Sequence, residues 1–250
     1  MEVVLSLIVP VYNAEIFILD TLTRITEWKK EFPHNTQIII VDDGSKDKTK
    51  AVIEQYINGK DNSIELLEYG QNKGKGYAVR AGMLAAKGKY RIFTDADIPF
   101  GFPAIERIFY YLDFKEFDVC IGNRKSENSQ YLLQRGFMRK LSSQIFTFII
   151  SRYVVTGVND TQCGLKGFRA HAADFLFSRS QIDGFAFDVE ILYICYKYEF
   201  DFKRLPVEFE GNNISTIRLG KSSIEMFWAI MCLPFRYHFS GKYKGSSPKI

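Results

Sequence analysis

Two almost uninterrupted apolar runs near the start, Leu5-Ser6-Leu7-Ile8-Val9-Pro10-Val11 and Gln37-Ile38-Ile39-Ile40-Val41, constrain this chain most. A strand without polar alternation has no face to turn to water, so it belongs inside a sheet covered on both sides. Ile64–Tyr69, Tyr90–Thr94 and Asp118–Gly122 read as three further strands. Helix-like stretches lie between them at about Ala14–Lys30, Lys48–Ile57, Gly76–Lys87 and Phe102–Leu112. Strand and helix in alternation predict an α/β fold with a mostly parallel central sheet and helices on both faces. In such sheets, ligands bind beyond the carboxyl ends of the strands.

The second half changes character. Tyr131–Tyr153 reads as one long amphipathic helix, and Thr161–Phe168 as a turn into a short strand. Helices follow at Ala170–Phe177 and Asp188–Tyr198, then a strand at Phe202–Val207 and a last helix from Ser222 toward Tyr237. With no repeat and no low-complexity tract, one domain over residues 1–240 with a basic tail at 241–250 is expected. A hydrophobic content of 46% with 25% charged residues excludes general disorder. The net charge of +4 is too weak to argue for nucleic acid. Cys120, Cys163, Cys195 and Cys232 have neither zinc-ligand nor redox spacing and read as buried thiols in a reducing compartment. The longest uncharged run, Val3–Ala14, has twelve residues, whereas a spanning helix needs about 20. No basic leader precedes it, so a cytoplasmic location is expected.

Three polar constellations fall at the predicted ligand edge. The second strand runs into Asp42-Asp43-Gly44-Ser45-Lys46-Asp47-Lys48-Thr49: two carboxylates, a glycine turn and a Ser able to cap the next helix. Carboxylates there can accept from a nucleobase N–H or a ribose hydroxyl. The fourth strand ends in Thr94-Asp95-Ala96-Asp97. Aspartates spaced by two can hold one hard divalent cation from one side, leaving its other positions to water and phosphate. A unit-charge pair at about 4 Å is worth about 4 kcal/mol at an effective dielectric near 20, enough to stabilise a departing diphosphate. Between them lies Asn72-Lys73-Gly74-Lys75-Gly76-Tyr77-Ala78-Val79-Arg80, whose glycines permit close backbone approach beside Lys75 and Arg80. It matches neither a Walker loop nor a dinucleotide fingerprint.

Together with Ile8–Glu15, these segments resemble glycosyltransferase family 2, inverting nucleotide-sugar enzymes of the GT-A fold. Asn159–Phe168 and Phe185–Leu192 narrow the resemblance to the branch of dolichyl-phosphate β-glucosyltransferases and bacterial polyprenyl-phosphate relatives. The resemblance implies a nucleotide-sugar-binding half over 1–125 and an acceptor- and lipid-facing half over 126–240. Pro10, Tyr12, Glu15 and Asp42 or Asp43 would surround the nucleoside, with Gly74, Lys75 and Arg80 near the nucleotide. Asp95, Ala96 and Asp97 would meet the diphosphate, the two aspartates through Mg²⁺ or Mn²⁺. Arg124, Arg139 and Lys140 would face the acceptor phosphate, and Arg218 and Lys221 would close over the donor. Asp160 is the first candidate for the group beside the attacking oxygen and Asp188 the second; the sequence does not choose between them.

The resemblance thus implies transfer of glucose from UDP-glucose to a polyprenyl or dolichyl phosphate. Two alternatives stay open: a sugar acceptor on a glycolipid or cell-surface polymer, and a non-catalytic nucleotide-sugar-binding scaffold. Leu133, Phe137, Leu141, Ile145 and Phe148 form one apolar helical face beside Arg135, Arg139 and Lys140. Ile224–Tyr237 is broadly apolar and is followed by Lys242, Lys244 and Lys249. Both segments suit peripheral attachment to the cytoplasmic face of a membrane. The oligomeric state is left open.

Overall fold

The computed structural model describes residues 2–59, 63–124, 163–210, 226 and 228–244. Five strands follow the expected order: β1 Leu5–Val11, β2 Thr36–Asp42, β3 Ile64–Glu68, β4 Tyr90–Phe93 and β5 Val119–Asn123. Helices α1 Ile18–Glu31, α2 Thr49–Gly59, α3 Lys75–Ala85 and α4 Gly101–Asp113 separate them. Then come β6 Lys166–Arg169, α5 Ala170–Arg179, α6 Phe187–Lys197, β7 Phe202–Pro206, α7 Leu233–Phe239 and a 3₁₀ turn at Gly241–Tyr243. The expected helix over 131–153 lies outside the described residues.

Seven strands form one sheet among the described residues, in the order β3-β2-β1-β4-β6-β5-β7. β1 pairs in parallel with β2 (Leu7↔Ile38) and β4 (Leu7↔Ile92), as β2 does with β3 (Ile40↔Leu66) and β5 with β7 (Ile121↔Arg204). β6 alone runs antiparallel, with Phe93↔Lys166 and Ile121↔Lys166 in register. Its first residues therefore lie on the same edge as the last residues of β4 and β5, and this brings 163–166 to the ligand edge.

The apolar runs divide by alternation. Leu5, Leu7, Val9, Ile38, Ile40 and Ile92 point to a core closed by Ile18, Leu22 and Ile25 of α1, Ile53 of α2 and Ile105, Ile108 and Leu112 of α4. Ile8, Ile39, Val41, Phe93 and Phe168 point the other way, onto Val79 and Met83 of α3, Leu176 of α5 and Val189 and Ile194 of α6. A sheet with both faces buried in this way has no room for polar alternation, hence the continuous runs.

The last expected helix changes local geometry at Cys232 but keeps its hydrogen bonds through it, with Cys232 N on the Trp228 carbonyl and Arg236 N on the Cys232 carbonyl. Residues 226 and 228–231 are helical, a turn falls at Cys232, and α7 begins at Leu233 with Pro234 in its first turn. Pro234 has no N–H to donate back, and its ring is tolerated only where a helix begins.

Candidate active site

Polar loops after β1, β2 and β4, together with the start of β6, converge on one edge. After β1, Asn13 adopts φ 50°, a left-handed value that Asn tolerates, and its carboxamide oxygen accepts from Lys46 N at 2.8 Å. Glu15 Oε2 accepts from Lys48 N, and Asp47 accepts from the Thr49 hydroxyl and amide, so the β1 and β2 loops are laced together. Pro10 lies within β1, while Tyr12 is exposed on the rim.

The two acidic residues ending β2 have different surroundings. Asp42 Oδ1 accepts from Ser45 N and Oγ. Gly44 makes this turn at φ 69°, and its Cα abuts Gln71 and Asn72 so closely that a Cβ would strike their backbone. Both oxygens of Asp43 hold the glycine loop: Oδ2 takes Asn72 Nδ2 and Gly74 N, and Oδ1 takes Lys73 N. Burial pushes the Asp43 carboxyl up and the charges of Asp42 and Asp183 add to this, while the Lys73 and Gly74 amides pull it back. Beside this turn lies a cavity of about 240 Å³ lined by Asp42, Ser45, Lys50, Glu68 and Tyr69, with Lys50 and Glu68 paired at 2.6 Å. It can admit a flat, hydrogen-bonding ring.

α3 starts at Lys75 without a side-chain cap, so its first amides remain to be satisfied by other groups. Tyr77 N donates to the Asp183 carbonyl. Arg80, expected near the nucleotide, pairs with the Asp183 carboxylate and the Ser180 carbonyl, and its guanidinium lies 5.1 Å from the Tyr77 ring. It braces the loop that follows α5.

At the end of β4, Ile98 N bonds back to the Asp95 carbonyl at 3.0 Å, and the Ala96 carbonyl accepts from Thr21 Oγ1 of α1. Ile98 holds φ 47° while fully buried, a strained conformation for a β-branched side chain. That strain of about 1–3 kcal/mol is held in the turn that aims Asp97. Burial pushes the Asp97 carboxyl up and Asp95 adds repulsion, while Lys75 and Arg24 oppose both. Lys75 Nζ sits 2.5 Å from Asp95 Oδ1. Burial works against the Lys75 ammonium, but Asp95 and Asp188 outweigh it and raise its pKa. Arg124 after β5 lies close enough for its charge to oppose Lys75, so the acceptor-facing cation expected from sequence shares this neighbourhood.

β6 contributes what the sequence reading did not single out. Lys166 is 0% exposed; its Nζ lies 2.5 Å from Asp188 Oδ1 and 2.6 Å from the Cys163 carbonyl. Gly164 packs against the Asp95 carboxylate with no space for a side chain. Burial pushes the Asp188 carboxyl up, and Lys166 and Lys75 pull it back. Asp160, Arg139, Lys140, Arg218 and Lys221 lie outside the described residues.

The chemistry of this donor set suits a divalent cation. Two carboxylates crowd one side, and an ammonium already occupies the cation position on Asp95. Mg²⁺ and Mn²⁺ are satisfied by one or two carboxylates plus phosphate and water. Among the described residues no group of three or more His, Cys, Asp or Glu offers an all-protein cage. Asp95 and Asp97 are thus the residues that would hold such an ion.

A mostly parallel seven-stranded sheet with helices on both faces and these loops on its carboxyl edge is an α/β architecture of the GT-A type. Solved structures share it: glucosyl-3-phosphoglycerate synthase from Mycobacterium tuberculosis in complex with UDP (TM-score 0.65, 15% identity, 92% of this chain and 78% of that one). Mannosyl-3-phosphoglycerate synthase from Rubrobacter xylanophilus gives TM-score 0.66 at 16% identity over 98% and 77%. The sequence family profile "Glycosyl transferase family 2" matches residues 6–177, and the chain belongs to that family. Among its relatives, dolichyl-phosphate β-glucosyltransferase of Dictyostelium discoideum is 34% identical over 94% of this chain and 75% of its own length. The enzyme of that name from Homo sapiens is 32% identical over 87% and 72%.

Proposed function

We propose that this glycosyltransferase moves glucose from UDP-glucose to a polyprenyl phosphate of the dolichyl type, with inversion, at a membrane surface. The observation that carries the reading is the pair Asp95 and Asp97 at the end of β4, where the Lys75 ammonium on Asp95 marks the position a divalent cation would take. The names of the relatives support the acceptor and the sugar. A bound divalent ion supplies electrostatic stabilisation of the departing diphosphate. Asp42, Ser45 and Tyr69 offer the nucleobase its cavity. An acceptor phosphate oxygen attacks the anomeric carbon from the face opposite UDP. The new C–O bond forms as the old one breaks, and its electron pair leaves with UDP. A lipid monophosphate is already an anion at neutral pH, so it needs placement by cations such as Arg124 more than removal of a proton.

Attachment to the membrane is supported by the C-terminal helical segment. Trp228, Phe235 and Phe239 are 63%, 68% and 78% exposed, and with Met231 they follow helical spacing along one side. Arg236, Lys242 and Lys244 are exposed around them, a charge pattern complementary to anionic lipid. Among the described residues no helix is long and apolar enough to cross a membrane. In flotation with anionic vesicles, the Trp228→Ser/Phe235→Ser double variant is expected to stay at the bottom while wild type floats; equal flotation would refute the docking face.

The test of the reaction is a donor and acceptor panel with purified protein. UDP-glucose, other UDP-sugars and GDP-mannose are each offered with Mg²⁺ or Mn²⁺ to a short polyprenyl phosphate and to a glycolipid alcohol. A lipid carrying a sugar–phosphate linkage formed from UDP-glucose is expected. Product on the glycolipid alone would overturn the acceptor, and product from another donor alone would overturn the sugar.

A further inference from the structure

Four side chains of alternating charge lie between α3, the turn after β4, β6 and α6: Lys75 pairs with Asp95, Lys166 pairs with Asp188, and Asp188 is near enough for its charge to act on Lys75. Lys75 and Asp188 are brought together by their neighbours, because Gly76 packs its Cα against Phe187 and the Ile182 carbonyl, where an added Cβ would lie 2.6 and 2.5 Å away. The Lys166 ammonium is fixed by Asp188, by the Cys163 carbonyl and by the face of Phe93 at 5.5 Å. A buried ion pair of this kind adds little net stability over a well-packed apolar pair, so stability alone is a poor reason for it. Its place is more telling. Lys75 occupies the Asp95 oxygen that a metal–diphosphate needs, and Lys75 is 22% exposed and reaches the site from a helix start, so its long side chain can swing.

We propose that Lys166 is a positioning residue that fixes Asp188 as a second anionic seat for Lys75, so that Lys75 can leave Asp95 when the metal–nucleotide arrives. With Asp188 in place, the ammonium exchanges one carboxylate for another and is never left unpaired in a half-buried site. Without it, each metal-binding event must strip Lys75 of its partner. This inference rests on the nucleotide-sugar reading of the same edge, and it concerns metal–nucleotide binding rather than transfer.

The experiment measures Mn²⁺ binding by electron paramagnetic resonance of the free ion in the presence of UDP, and UDP binding without metal by calorimetry. Wild type, Asp188→Asn, Lys166→Met and the double variant are compared, with thermal melting as the check on folding. Asp188→Asn is expected to weaken UDP-dependent Mn²⁺ binding by roughly tenfold while metal-free UDP binding changes less than about twofold. Lys166→Met is expected to do the same, and the double variant to lose no more than Asp188→Asn alone. Should Lys166→Met fail to fold with Asp188 left unpaired, the double variant, which removes both charges, carries the comparison with Asp188→Asn. Undiminished Mn²⁺ binding in Asp188→Asn, equal losses with and without metal, or additive losses in the double variant would overturn the inference and leave the family reading intact. A wild-type protein that binds no UDP with Mn²⁺ would overturn both.

Discussion

Gly164→Ala separates geometry from stability at the site. Gly164 does not occupy the left-handed region, so alanine fits its backbone without strain; the conflict lies entirely with its neighbour. A Cβ there would stand 2.8 Å from Asp95 Oδ1 and closer still to Cγ and Oδ2, where ordinary contact begins at 3.4 Å. The carboxylate is the movable end of its side chain, so it yields by an ångström or more and abandons the 2.5 Å pairing with Lys75. The fold loses one part-exposed ion pair, worth about 0–1 kcal/mol. Transfer, which needs that carboxylate in register with the diphosphate, loses about 100-fold, the usual consequence of an ångström's misplacement. The assay is initial rate with saturating acceptor beside a thermal melt. A variant within threefold of wild-type rate, or one unfolded at the assay temperature, would refute the account of Gly164 as the surface that positions Asp95.

At position 98 the usual order of glycine and alanine is expected to invert. Both substitutions lose the buried Ile side chain, but Ile98→Gly escapes the left-handed penalty and should exceed Ile98→Ala in stability by about 1–2 kcal/mol in denaturant melts; a more stable alanine would remove the claim of strain. Asp47 makes a pH-dependent contribution: burial raises its carboxyl, but the Thr49 hydroxyl and amide and the Glu15 amide prevail and hold it below its ordinary value of 3.8. With the folded value depressed, its stabilisation is present above about pH 4 and fades as pH falls through the folded value, so wild type and Asp47→Ala should differ at pH 7 and converge under acid. Constant separation of their melting curves across that range would contradict this. With a lipid phosphate acceptor, Asp160→Asn is expected to lose less activity than Asp97→Asn, and comparable losses would argue for a general base.

The strands covered on both faces were legible because their burial leaves no polar alternation, and β1 matched its expected limits while β2 extended one residue at each end. Antiparallel β6 was not, since its direction shows only in its pairing with β4 and β5, distant in sequence. Lys166 escaped notice for the same reason: on a four-residue strand a lysine reads as a surface cation, and only burial between β4 and β5 makes it otherwise. The acidic clusters announced themselves by position at strand ends. The anchoring of the glycine loop by Asp43 did not, because its partners lie 29 to 31 residues away. The pairing of Arg80 with Asp183 likewise spans 103 residues and left no local trace.

The most direct test of the account is mass spectrometry of lipids extracted after the wild-type protein and its Asp95→Ala/Asp97→Ala variant are incubated with UDP-glucose, Mn²⁺ and a short polyprenyl phosphate. The expected result is a hexosyl phospholipid from the wild type and none above background from the variant. Equal yields from the two proteins would contradict the claim that the carboxylates ending β4 drive the reaction.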